Sequence, residues 1–264
     1  MSFSSTPVFD ASKGYQKKGE GTYFNDGREI ELLHFVYNKP NIDEIRDSPA
    51  KVVAAIDEYA RTKKYLMNVG SDKGKIVCDL ITEVKPKTLV ELGGYVGYSS
   101  ILFGAAFRSA GGQRYYTLEH NPEFGAVIGS LVDLAGLSDV VKVVVGDSGA
   151  SLERMHKSQN LRKIDLLFID HTQFERDIKL AERLGMISEG AVVAADNCIY
   201  PGHPEYWQYM SDSVEKRREF SRVAQSPAEI GNPNLMYDSN LVHSFEPSGE
   251  KDAVGISRCT GSAK

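Results

Sequence analysis

Residues 89–104 read LVELGGYVGYSSILFG. A short apolar strand runs into a glycine-rich turn, and a helix rich in small residues follows. Glu91 stands just before the glycines. Such a turn can cradle the phosphates of a dinucleotide, grip another nucleoside cofactor, or only turn the chain. Its neighbours decide the fold. Downstream, the apolar runs TLVEL, RYYTLE, VKVVVGD, IDLLFID and GAVVAADN alternate with helical patterns. SSILFGAAFRSA stops at Gly111-Gly112, and NPEFGAVIGSLVDLA has Asn121 as its cap with Pro122 behind it. A polar helix near 149–157 and DIKLAERLGM complete the series. Strands of this kind, separated by helices, build a parallel sheet covered on both faces.

Upstream, SPAKVVAAIDEYA carries Ser48 as N-cap and Pro49 at the first helical position, and GKIVCDLITEV ends at Pro86. Near the C-terminus, NLVHSF and DAVGISRC flank EPSGEK, which reads as an antiparallel hairpin around a Pro-Ser-Gly turn. The expected fold class is α/β: a mostly parallel, seven-stranded, Rossmann-like sheet with a C-terminal antiparallel hairpin and an N-terminal helical cap. Residues 1–28, rich in Ser, Gly, Lys and Asp, are expected as a flexible arm, and 29–264 as a single domain.

The 264 residues are 41% hydrophobic, enough for a sizeable core, and the net charge of −5 gives no reason to invoke nucleic acid or an anionic membrane. Lys216, Arg217 and Arg218 read as a solvated helix face. Cys78, Cys198 and Cys259 show no CxxC spacing, so a zinc site is disfavoured and buried, reduced thiols are expected. No secretory pattern opens the chain, and no apolar run approaches the ~18 residues of a membrane span. A soluble cytoplasmic monomer is the expectation.

Ligands of a parallel sheet collect at the carboxyl ends of its strands. There the sequence places Glu91 and Gly93, then Glu119, then Gly146 and Asp147, then Asp170, then Asp196 and Asn197. A row of acids is a poor seat for a pyrophosphate, and Gly93-Gly94-Tyr95-Val96-Gly97 lacks the GxGxxG spacing. This disfavours a nucleotide-dependent dehydrogenase. Glu119 at the end of the second strand suits a ribose diol. A ribose without phosphates points to S-adenosylmethionine. Any single Asp at such a place is commonly a helix cap. Asp170, Asp196 and Asn197 together make a hard oxygen site suited to Mg2+.

The motifs MNVG (67–70), ELGGYVGYSS (91–100), LEHNPEF (118–124), FIDH (168–171) and ADNCIYPG (195–202) resemble those of catechol O-methyltransferases, in the same order from about Glu31 to the C-terminus. The resemblance is to a fungal-type member, within the class I S-adenosylmethionine-dependent methyltransferases. The resemblance implies that Mg2+ binds both oxygens of a catechol or diphenol and that one is methylated in line. By position, Asp170, Asp196 and Asn197 match the metal ligands, and Glu119 matches the ribose-binding acid. Met67, Val69, Glu91, Gly93, Tyr95 and Ser99 match the surroundings of the methionine part. His120, Ser148 and His171 fall near the adenine, with ordinary half-exposed histidines as the competing reading. Tyr65 and Pro201 match walls of the catechol slot. Asp238, in NLMYDS, occupies the place of a glutamate that bonds the second hydroxyl.

One position departs from the family. Where the resemblance implies a lysine as general base, this chain has Gln173, and a neutral amide cannot accept a proton near pH 7. Thr172 replaces a bulkier aromatic residue, and the segment after Asp170 is about two residues shorter. Three outcomes stay open: acidification by the metal alone, another acceptor such as Lys179 or a water held by Asp238, or a substrate other than a simple catechol. The alternative function is an S-adenosylmethionine-binding homologue with little or no catechol activity.

Overall fold

The computed structural model describes residues 8–226 and 229–264. After a 3-10 turn at Ala11–Lys13 come four α-helices: α1 (Arg28–Tyr37), α2 (Ile42–Ile45), α3 (Pro49–Thr62) and α4 (Gly70–Val84). The alternating part follows as β1 (Thr88–Leu92), α5 (Tyr98–Ser109), β2 (Arg114–Glu119), α6 (Pro122–Leu134), β3 (Val141–Val145), α7 (Ser148–Lys157), β4 (Leu166–Ile169), α8 (Phe174–Arg183) and β5 (Val192–Ala195). Helices α9 (Pro204–Ser211) and α10 (Val214–Val223) lead to β6 (Leu235–Phe245) and β7 (Lys251–Ser262).

The sheet order is β3-β2-β1-β4-β5-β7-β6. The first five strands are parallel, and β7 runs antiparallel to both β5 and β6. This is the architecture expected from the alternation of apolar runs. The two-residue side-chain period splits the core. Leu89, Leu166, Phe168 and Val192 pack under α1 and α3–α6, whereas Val90, Leu92, Leu167 and Ile169 pack under α7–α9. The chain leaves β1 towards β2 on one side and returns at β4 on the other. That reversal opens a crevice beyond the carboxyl ends of the strands.

Pro49 opens α3 behind Ser48, and the Asn121 side chain caps α6 by accepting from Glu123 N. Helix α4 starts at Gly70 rather than at Gly74, so MNVG runs directly into it. The basic run 216–218 is helical, but Arg217 is not solvated. It is 4% exposed, lies over the rings of Tyr209 and Tyr237, and donates to the Leu235 carbonyl. Burial pushes up the thiols of Cys78 and Cys198, both to about 12. Of the expected arm, residues 1–7 lie outside the described residues. Further along, Tyr15 N donates to the Pro247 carbonyl at 2.9 Å and Gln16 N to the Ala60 carbonyl at 2.8 Å. Among the described residues, no helix is long and apolar enough to cross a membrane.

Candidate active site

A cleft of about 690 Å3 lies at the carboxyl ends of the parallel strands. Gly93 after β1, Glu119 at the end of β2, Asp170 after β4 and Asp196 after β5 all line it. Gly93 has φ +96°, and a Cβ there would lie 2.0 Å from the Asp170 carbonyl oxygen. The glycine therefore lets the β1 turn approach β4 closely at the reversal point.

On the β2 side, Glu119 is held by backbone donors. Tyr95 N reaches its Oε2 at 2.9 Å and Asn121 N its Oε1 at 2.8 Å. Burial raises the Glu119 pKa, and these N–H groups oppose the rise. Tyr95 has φ +49°, a left-handed conformation that few bulky residues adopt. Its hydroxyl donates to the buried Glu29 at 2.9 Å. Met67, His120 and His171 line the same cleft, as do Tyr65 and Pro201. His171 Nε2 lies 2.9 Å from Asp177, which Ser148 and Arg176 also contact. Burial works to raise the Asp177 carboxyl, but these partners hold it below its usual range. Tyr23, Phe24 and Asn25 of the N-terminal segment also line the cleft, the Tyr23 ring 6.1 Å from that of Tyr65.

On the β5 side, the Lys73 ammonium from α4 donates to Asp196 Oδ2 at 2.8 Å, Glu246 Oε1 at 2.6 Å and Asp252 Oδ2 at 2.8 Å. Its three hydrogens are thereby used. Asp196 Oδ1, also 2.8 Å from Nζ, is left buried without a hydrogen bond. No hydrogen bond reaches the Asp170 carboxylate among the described residues. Its pKa is pushed well up by burial and then by Asp196. Burial raises the Asp196 and Glu246 carboxyls too, and the Lys73 ammonium opposes the rise in both. Asn197 sits at φ +54°, tolerable for asparagine, and its Nδ2 donates to Glu246 at 2.5 Å and to the Tyr200 carbonyl at 3.1 Å. The amide oxygen is thus turned from these acceptors. Two under-satisfied carboxylates beside an amide oxygen fit a hard divalent cation. This set is two carboxylates and an amide oxygen; among the described residues, no group of three His, Cys, Asp or Glu side chains is disposed to hold a metal.

Five expected side chains do not line this cleft. Glu91 is fully buried on the α5 side of the sheet, accepting from Ser100 at 2.6 Å and Tyr115 at 3.0 Å. Val69 and Ser99 are buried at the starts of α4 and α5. Ser148 lines a smaller adjoining cavity of about 310 Å3, together with Gln173. Asp238 is at the wrong end of its strand. It pairs with Arg258, which pairs with Val192 at the start of β5, whereas Leu241 is level with Ala195 through Gly255. Lys179 fails as a proton acceptor at the cleft. It is 5% exposed, paired with Glu175, and set over the rings of Tyr209 and Phe220.

The residue that sequence reading missed is Glu246. Strand β6 runs parallel to β5 across the intervening β7, so its last residues reach the same end of the sheet as the other carboxyl ends. Glu246 follows Phe245 there and lines the cleft. Treating EPSGEK only as a turn hid it. Lys73 carried a signal too, since Lys73, Val77, Leu80 and Ile81 share one buried helix face.

A methyltransferase domain family model matches residues 90–198. The catechol O-methyltransferase of Bos taurus is 38% identical over 168 residues, 63% of this chain and 61% of that protein. The catechol O-methyltransferase of Sus scrofa is 37% identical over 146 residues, 54% of this chain and 77% of that protein. The chain spans 61–64% of the length of the bovine, zebrafish and mouse relatives it matches. An O-methyltransferase from Bacillus cereus in complex with SAH has a TM-score of 0.54 at 20% identity, over 88% of this chain and 97% of that one. An O-methyltransferase of tomaymycin synthesis from Streptomyces achromogenes, in complex with SAM, gives 0.55 at 21%, over 90% and 100%. These two show the fold, a Rossmann-like methyltransferase sheet. The sequence match carries the identity further: covering 77% of the Sus scrofa protein at 37% identity, this chain belongs to the catechol O-methyltransferase family.

Proposed function

We propose that this chain is a Mg2+-dependent O-methyltransferase that moves a methyl group from S-adenosylmethionine to one hydroxyl of a catechol or related diphenol. The observation that carries the reading is one cleft with Glu119 on the β2 side and Asp170, Asp196, Asn197 and Glu246 on the β5 side. Those sides are three strand spacings apart, ~14 Å. Glu119, fixed by two N–H donors, would accept from the ribose diol. Asp170, Asp196 and Asn197 would hold the ion. When bound, Mg2+ lowers the pKa of a coordinated hydroxyl. Glu246 would accept from the second hydroxyl, the role that Asp238 is too far down β6 to fill. Tyr65 and Pro201 would hold the ring in line with the methyl donor. A single methyltransferase domain over 29–264, a monomeric state and a cytoplasmic setting belong to the same proposal.

Gln173 favours one second reading, a homologue that binds S-adenosylmethionine without turning over catechols. Its amide takes no proton, and Lys179 does not replace it. Retained activity with altered rate or substrate is the preferred reading, because Asp170 lines the cleft with no hydrogen bond to its carboxylate among the described residues, a placement with no structural role that an apolar residue could not fill better. Calorimetry with S-adenosylmethionine, then a methyl-transfer assay on a catechol panel with Mg2+ or EDTA, separates the two. Turnover abolished by EDTA is expected. Cofactor binding without turnover of any diphenol would establish the second reading.

A further inference from the structure

We infer that Lys73 is a positioning residue whose buried ammonium is the resident counter-cation of the acid cluster and thereby sets the affinity of the metal site. This rests on the reading that Asp170, Asp196 and Asn197 hold a divalent ion. Lys73 is fully buried, and its three donors go to carboxylates at the ends of β5 and β6 and at the start of β7. One ammonium thus ties α4 to three strands. Asp252 also accepts from Ile199 N at 3.0 Å and Tyr200 N at 2.9 Å through Oδ1, so the same cluster fixes the loop after Asn197.

Asp170, Asp196, Glu246 and Asp252 bring four acids into one low-dielectric region, an arrangement that is unstable without positive charge. Lys73 supplies that charge when no ion is present. A divalent ion taking Asp196 Oδ1 shares that carboxylate with the ammonium, and the two cations oppose one another. Lys73 therefore stabilises the metal-free protein and weakens the metal site at the same time. A lysine that merely packs α4 against the sheet would stabilise the fold without weakening the metal site.

The test is calorimetric titration of Mg2+ into the metal-stripped protein, with Tm measured with and without the ion. Lys73→Met is expected to bind Mg2+ at least tenfold more tightly than wild type. It should melt lower without metal and gain more in Tm on adding it. Asp252→Asn removes one carboxylate, leaves an oxygen for Ile199 N and Tyr200 N, and is expected to bind Mg2+ at least threefold more weakly. A structural role would weaken binding in both variants. Lys73→Met binding no tighter than wild type overturns the inference while leaving the metal reading intact. So does Asp252→Asn binding as tightly as wild type, or a Lys73→Met chain that stays unfolded at every Mg2+ concentration. A wild-type protein that binds no Mg2+ overturns the metal reading itself, and this inference with it.

Discussion

Glu246 and Gln173 are the two side chains on which the chemistry turns. Glu246 is buried beside Asn197 and Lys73 and opens on the cleft, whereas Asp238 is exposed lower on the same strand. Glu246→Gln should lower kcat on a catechol by roughly 10–100-fold, the cost of losing one hydrogen bond to a charged acceptor. Asp238→Asn should stay within about twofold of wild type, as a surface change remote from the site. Steady-state kinetics of the pair checks both, and equal losses would return the role to Asp238. Gln173 stands at the N-cap position of α8 without a side-chain cap bond and lines the adjoining cavity, with its backbone N donating to His171 Nδ1. Gln173→Lys should raise turnover by roughly 100-fold, the lower range for a general base, with cofactor affinity unchanged. No gain in a variant that still binds cofactor and Mg2+ would count against the missing base as the limit on rate.

Between elements, the junction of α7 and α8 depends on one carboxylate. Asp177 in α8 meets His171 before that helix and Ser148 at the start of α7, with Arg176 beside it. Its folded pKa is depressed below the unfolded value of about 3.9. The stability it contributes is therefore present above that value and lost as pH falls through the folded pKa. Asp177→Asn should cost roughly 3 kcal/mol at pH 7 and clearly less at pH 3. Denaturant unfolding at both pH values tests this, and an equal loss at both would show that charge is not the cause. Strand and helix identities were legible because their periods differ and their caps are explicit, as at Asn121 and Pro49. The inward turn of Arg217 was not legible, since a basic run on a helix carries no mark of the Tyr209 and Tyr237 rings that cover it.

At the scale of the whole molecule, the N-terminal segment closes one side of the cleft. Tyr23, Phe24 and Asn25 line it, and Asn25 N donates to Glu29, which also accepts from Tyr95. Deleting residues 1–24 should weaken S-adenosylmethionine binding about tenfold, equal to about 1.4 kcal/mol. Calorimetry measures this, and unchanged affinity would mean that the segment only covers the cleft. The sequence by itself determined the alternating α/β order, the carboxyl-end rule and hence Glu119, Asp170, Asp196 and Asn197. Those follow from local periodicity and from chain direction in a parallel sheet. Only the tertiary structure decided that Glu91 faces the core, that Glu246 rather than Asp238 reaches the cleft, and that Lys73 sits among three carboxylates. Each depends on hairpin register or on contacts between residues far apart in the chain, as with Lys73 and Asp252. A one-residue change in register turns a side chain to the other face, and no local pattern records which register is adopted.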